Sequence, residues 1–194
     1  RREAEDASAV TADAAFLERW LAQYPDHPQL AELSLTLRLG EIGDDAGPRL
    51  DGETLESLHA LLEIVPIAET PHRLLARHHL AGEPRDGAIA HLEFLDARET
   101  NSAVYAIQLA ELHAERGDLE AARAKAERAA RISPFDADIR EFAARVALKA
   151  ALDGDASFHE AERHIEALTV IEPAVELHRQ RLARVREMAS RGGR

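Results

Sequence analysis

The sequence contains no cysteine, which excludes disulfides and thiolate chemistry and leaves the redox compartment open. Aromatic residues are scarce at 4%, and no apolar run approaches the ~20 residues that cross a bilayer, which predicts a soluble chain without a membrane span. Positive charge is also short. Lys and Arg number 24 against 36 Asp and Glu, and the resulting net charge of −12 repels a phosphate backbone, so nucleic acid is not an expected partner.

Catalytic signatures are missing as well. No Gly-x-x-x-x-Gly-Lys or Gly-x-Gly-x-x-Gly offers a phosphate cradle, and no serine sits in a Gly-x-Ser-x-Gly elbow. Ten histidines are present, but none falls in a His-Glu-x-x-His pair. His72, His78 and His79 form the densest group. Spacings of six and one put their rings on different sides of a helix, and His72 to His79 spans roughly 10 Å, too far for one ion. His159 and His164, five apart, are equally poor partners. Asp153-Gly-Asp155-Ala-Ser157 imitates the start of a calcium loop. The sixth position is Phe158 instead of glycine and the twelfth is His164 instead of glutamate, so a polar turn is expected there. No catalytic residue, cofactor or metal is therefore expected.

What the 194 residues do contain is Ala, Leu, Glu and Arg in quantity, residues that lose little on entering a helix, with the glycines and prolines falling mostly between apolar-periodic stretches. The stripe Leu119, Ala122, Ala126, Ala129, Ile132, followed by Pro134, has helical spacing. Stepping back 34 residues gives Arg85, Ala88, Leu92, Leu95, Arg98 and Thr100. One more step gives Asp51, Thr54, Leu58, Leu61, Ile64 and Pro66. The preceding helix repeats too: Leu75-Ala76 and His79 recur as Leu109-Ala110 and His113, then as Ala143-Ala144 and Ala147. Further out the register loosens. Pro173 follows Pro134 after 39 residues, the intervening loop having gained five, and Pro25 precedes Pro66 by 41, with the seven extra residues there assigned to the segment Gly40 to Gly52.

The stretch Ala103 to Pro134, with Leu109-Ala110, His113, Gly117-Asp118-Leu119, Ala122, Ala126, Ala129 and Pro134, closely resembles a tetratricopeptide repeat. It departs from the pattern at Ala106, where a tryptophan is usual, and at Ala126, where a large aromatic is usual. Residues 69–100 match with Glu83-Pro84 in place of Gly-Asp, and 137–173 match with a loop insertion. The resemblance is clearest over 69–173 and degenerate over 1–66. It implies a single all-α domain, a right-handed α-α superhelix of about ten helices in five antiparallel pairs. These are expected at 2 or 11–24, 27–40, 52–65, 69–82, 85–99, 102–116, 119–132, 136–151, 156–171 and 174–190, the last as an arginine-rich cap.

In such arrays the first helix of each pair lines a concave surface. The register then nominates Thr70, Arg73, Arg77 and Leu80, then Val104, Ile107, Glu111 and Ala114, then Asp138, Glu141, Arg145 and Leu148. Arg73, Arg77, Val104, Ile107, Glu111, Glu141 and Arg145 are the expected partner-binding set. Tetratricopeptide domains that clamp a C-terminal carboxylate use Lys, Asn and Arg in adjacent repeats, and Gln108, Glu111, Asp138 and Phe142 do not reproduce that clamp. The resemblance thus implies a non-catalytic scaffold for a protein or peptide segment. A chain opening at Arg1 inside a charged Ala-rich segment reads as a piece of a longer protein, leaving cytoplasmic and exported locations both open. It also keeps a second reading, the helical appendage of a peptidase or transferase encoded upstream of Arg1. Self-association through the end helices is a third.

Overall fold

The computed structural model describes residues 16–17, 19–24, 27–31, 33–34, 50–154 and 157–192. Every regular element in this set is helical, and no strand occurs among the described residues. Short helical stretches lie at 19–23 and 28–31. The remainder of the first two expected helices, the insertion up to Pro48, Asp155 and Ala156 of the calcium-like turn, and the last two residues lie outside the described set.

Eight complete helices follow: α1 (Gly52–Ile64), α2 (Glu69–Leu80), α3 (Ala88–Arg98, preceded by a 3-10 turn Arg85–Gly87), α4 (Val104–Glu115), α5 (Leu119–Ile132), α6 (Ala137–Asp153), α7 (Phe158–Ile171) and α8 (Glu176–Gly192). Their ends agree with the periodicity to within about two residues, except that the expected helix at 85–99 opens as the 3-10 turn. Three of them start on an aspartate N-cap. Asp51 Oδ1 accepts from the Thr54 amide at 2.7 Å, Asp118 Oδ1 from Ala121 at 3.1 Å and Asp136 Oδ1 from Ile139 at 3.1 Å. Gly117 (φ 80°) turns the chain between α4 and α5, and Gly154 (φ 88°) ends α6, both in left-handed backbone that an L-residue avoids.

The chain divides into two compact units, Arg1–His91 and Leu92–Arg194, the division falling inside α3. In the first unit Leu58, Leu61 and Leu75 are fully enclosed, with Leu50, Leu55, Leu62, Val65 and Leu74 around them. This is a leucine core, closed by large side chains from α1 and α2.

The second unit also encloses leucines, Leu92, Leu95, Leu109, Leu112 and Leu168 among them, and adds close alanine contacts between its helices. Ala106 and Ala129 meet with Ala103, and Ala110, Ala126 and Ala143 meet one step further along, bringing α4, α5 and α6 together. Ala144, Ala147, Ala161 and Ile165 join α6 to α7, and Leu182 and Val185 of α8 close that cluster. The two departures from the repeat pattern are thereby explained. Ala106 and Ala126 are completely buried among other small residues, and Phe142 packs beside Ala126 from the neighbouring helix, supplying bulk that its own position lacks.

Candidate functional site

The expected partner-binding residues divide between the units. In the first, Thr70, Arg73 and Arg77 are exposed along α2, with Arg73 paired to Glu69 one turn earlier, and Leu80 is half-buried. In the second, Val104 is 58% exposed, and Asp138 and Arg145 also face solvent. The Arg145 guanidinium lies 5.6 Å from the centre of the Phe142 ring, a cation–π contact that holds it in place. Glu111 is half-buried. Three other nominees take part in packing. Ile107 packs with Ile132 and Ile139 against the Ala103–Ala106–Ala129 cluster, Leu148 packs on the α6–α7 core, and Glu141 accepts from Arg181 of α8 at 2.6 and 2.8 Å.

Sequence spacing missed the buried polar groups. Asp96, 4% exposed, accepts from Lys125 Nζ at 2.8 Å and Arg128 Nε at 2.9 Å, while Arg128 Nη2 also donates to its backbone carbonyl at 2.9 Å. Burial pushes the Asp96 carboxyl up, but the two cations outweigh it and the pKa ends below the ordinary value. A second network surrounds His164, 1% exposed. Arg140 Nη1 donates to its Nδ1 at 3.2 Å, which leaves Nε2–H to donate to Glu127 Oε2 at 3.1 Å. Burial lowers the His164 pKa, Glu127 opposes that, and Arg140 and Arg163 reinforce it. The ring is thus a neutral connector between α5, α6 and α7.

Glu127, Glu160 and His164 bring ligand-type atoms within 4.8 Å of one another, a grouping that resembles a cation site. Their charges are already matched. Arg123 Nε donates to Glu160 at 2.9 Å, Arg163 reaches Glu127 at 3.3 Å, and Arg140 occupies the remaining imidazole nitrogen. An incoming ion meets three guanidiniums, so the cluster is best understood as a link between helices.

The first unit holds a different cluster, made of imidazoles. His72 Nδ1 lies 2.9 Å from His91 Nδ1, and His72 Nε2–H donates to the Pro66 carbonyl at 3.0 Å. The His79 ring lies parallel to His91, 7° from coplanar with centroids 6.0 Å apart, and His78 meets His79 edge-on at 5.4 Å. His78 Nδ1 accepts from the Leu50 amide at 3.0 Å. Gly87 makes room for this arrangement, since a Cβ there would fall 2.6 Å from His79 Nδ1. Burial, then the neighbouring His72, His79 and His59, lowers the His91 pKa to about 4. His79 is lowered by burial, then His78 and His59.

His79 and its repeat equivalent His113 both pack as ring-bearing positions near the turn between helices, as the register implies; the His113 side chain is 12% exposed and its Nδ1 stands 3.6 Å from Asp118 Oδ2. His91 carries no such signal, because its register equivalent is Lys125. For the ion pairs a signal did exist. Partners such as Arg123 and Glu160 or Lys125 and Asp96 stand 37 and 29 residues apart, about one repeat, so opposite charges offset by a period mark neighbouring helices.

No family model and no curated protein matches the sequence. Among solved structures, the crystal structure of MamA protein aligns with a TM-score of 0.55 at 14% identity, covering 89% of this chain and 87% of that one. A second MamA crystal structure gives 0.54 at 13% identity over 89% and 94%. TTC0263, a thermophilic TPR protein of Thermus thermophilus, aligns at 0.44 with 18% identity over 94% and 93%. With a 34-residue register, consecutive helix pairs and the MamA likeness all in agreement, the chain has a tetratricopeptide-like all-α repeat fold.

Proposed function

We propose that the chain is a non-catalytic binding scaffold, and that a segment of a protein partner lies along the exposed positions of α4 and α6 in the second unit. The observation that carries this reading is the mixture on those helices: Val104 offers apolar surface, Asp138 and Arg145 offer opposite charges, and Arg145 is held by Phe142. Rigid placement of a few polar groups beside apolar surface is what orients a bound peptide.

Support for a scaffold over a catalyst comes from the state of the buried polar groups. Asp96 and His164 are enclosed and fully engaged with neighbouring side chains, so neither is presented to a substrate. Scaffolding is also the common use of this fold, an argument by analogy.

Photo-crosslinking tests the face directly. A crosslinker at Val104 or Arg145 should capture a discrete partner from an extract, whereas one at the exposed Glu166 on α7 should not. Arg145→Glu combined with Val104→Asp should reduce recovery of that partner at least tenfold with helicity unchanged. Ile107 is left out of this variant because it packs in the core. Equal crosslinking from Glu166, or undiminished recovery by the double variant, sinks the choice of face.

A further inference from the structure

His72 and His91 come from different helices and meet nitrogen to nitrogen. His72 stands in the first turn of α2, and its Nε2–H is committed to the Pro66 carbonyl, so its Nδ1 carries the lone pair. That lone pair faces the Nδ1 of His91, in the first turn of α3, at 2.9 Å, the rings tilted by 59° with centroids 5.1 Å apart. Two imidazole nitrogens held ~2.0–2.1 Å from one ion at about 90° lie about 2.9 Å apart, while a tetrahedral angle spreads them to about 3.3 Å.

We propose that His72 and His91 chelate a late first-row divalent ion, copper(II) before nickel(II), through their two Nδ1 atoms, with solvent in the remaining positions. Three features of the structure favour this. The spacing matches adjacent corners of a square-planar or octahedral sphere, which nitrogen-bound copper(II) and nickel(II) adopt, in preference to the tetrahedron of zinc. The Pro66 carbonyl already supplies the outer hydrogen bond that orients a metal-bound histidine. The pair is also only partly buried, so an ion has a route in.

In the ion-free state the His91 Nδ1 proton bridges the two rings. On binding, the ion sits ~1.5 Å to one side of the line between the two nitrogens, each ring turning so that its lone pair meets the ion, and the proton moves to His91 Nε2, with no net proton released. The Glu127–Glu160–His164 group offers more ligand atoms but places three arginines around them, so the imidazole pair is the better cation site of the two.

The test uses the 194-residue chain stripped by chelator. Substoichiometric copper(II) should broaden the ring resonances of His72 and His91 first, before those of His113, His159 or His164. Calorimetric titration should then show the tightest binding event weakened at least tenfold in both His72→Gln and His91→Gln, and unchanged in His159→Gln. Initial broadening centred on a histidine outside the His72, His78, His79 and His91 cluster overturns the proposal, as does unchanged affinity in the two variants. If His91→Gln does not fold, the resonance experiment on the unaltered chain decides alone.

Discussion

The two units solve the same problem, joining antiparallel helices, with different side chains. In the second unit alanines let the helices approach closely, and long side chains at their flanks then reach across to the next helix. The result is a set of ion pairs, from Asp96 with Lys125 and Arg128 to Glu160 with Arg123 and Glu141 with Arg181. In the first unit leucines fill the core, and α2 and α3 meet through imidazole rings, His72 with His91 and His79 over His91. Charged side chains at the flanks carry the contacts between helices of the second unit, whereas rings carry the contact between α2 and the start of α3.

The largest effect should come from the most buried charge. Asp96→Ala leaves Lys125 and Arg128 facing a hole, and removing one partner of a buried ion pair costs about 3–5 kcal/mol. Urea unfolding followed by circular dichroism measures it. Asp96→Asn keeps the shape and should recover part of the loss; an equal loss in both would show that the charge alone, not the packing, matters there.

Packing comes next, and here the units should respond to opposite changes. Leu75→Ala in the first unit opens a cavity under a fully buried side chain and should cost about 2–5 kcal/mol. Ala126→Leu in the second unit adds bulk where Ala110, Ala143 and Phe142 already close the space, and should cost about 1–3 kcal/mol. A neutral or stabilising Ala126→Leu would mean that the alanine interface is loose, and the contrast between the units would fail.

The helix pattern is legible because period and packing are the same fact: register picks out Leu58, Leu61, Leu75, Leu92, Leu95, Ala122, Ala126 and Ala129, and all are buried. Surface exposure is legible only in part. Register places Arg73, Arg77, Val104 and Arg145 on the outside, but it does not distinguish a surface position from an interface one, and so Ile107, Glu141 and Leu148 engage neighbouring helices instead. The histidines are the hardest. Spacing along one helix separates His72 from His79, and only the fold brings His91, on another helix, within reach of both. A rule built on intrahelical spacing has no access to that meeting.

The smallest effect is the pH response of that cluster. An unfolded histidine takes its proton near pH 6.5, whereas His91 in the fold waits until about 4. Between those values the unfolded chain binds a proton that the folded chain refuses, so stability falls as pH drops from about 6.5 to about 4 and levels off below. The ring is only partly enclosed, which reduces the full linkage to roughly 1–2 kcal/mol. His79 on the same helix as His72 acts in the same direction, and so does His164 in the second unit, where Glu127 offsets part of its burial. His91→Gln should therefore flatten the stability profile without abolishing its slope, in chelator-containing buffer. The direct measurement is the titration of the His91 ring proton, whose midpoint should lie near 4. A midpoint near the ordinary histidine value would mean that the ring is solvated and that the imidazole contacts of the first unit contribute nothing distinctive to its stability.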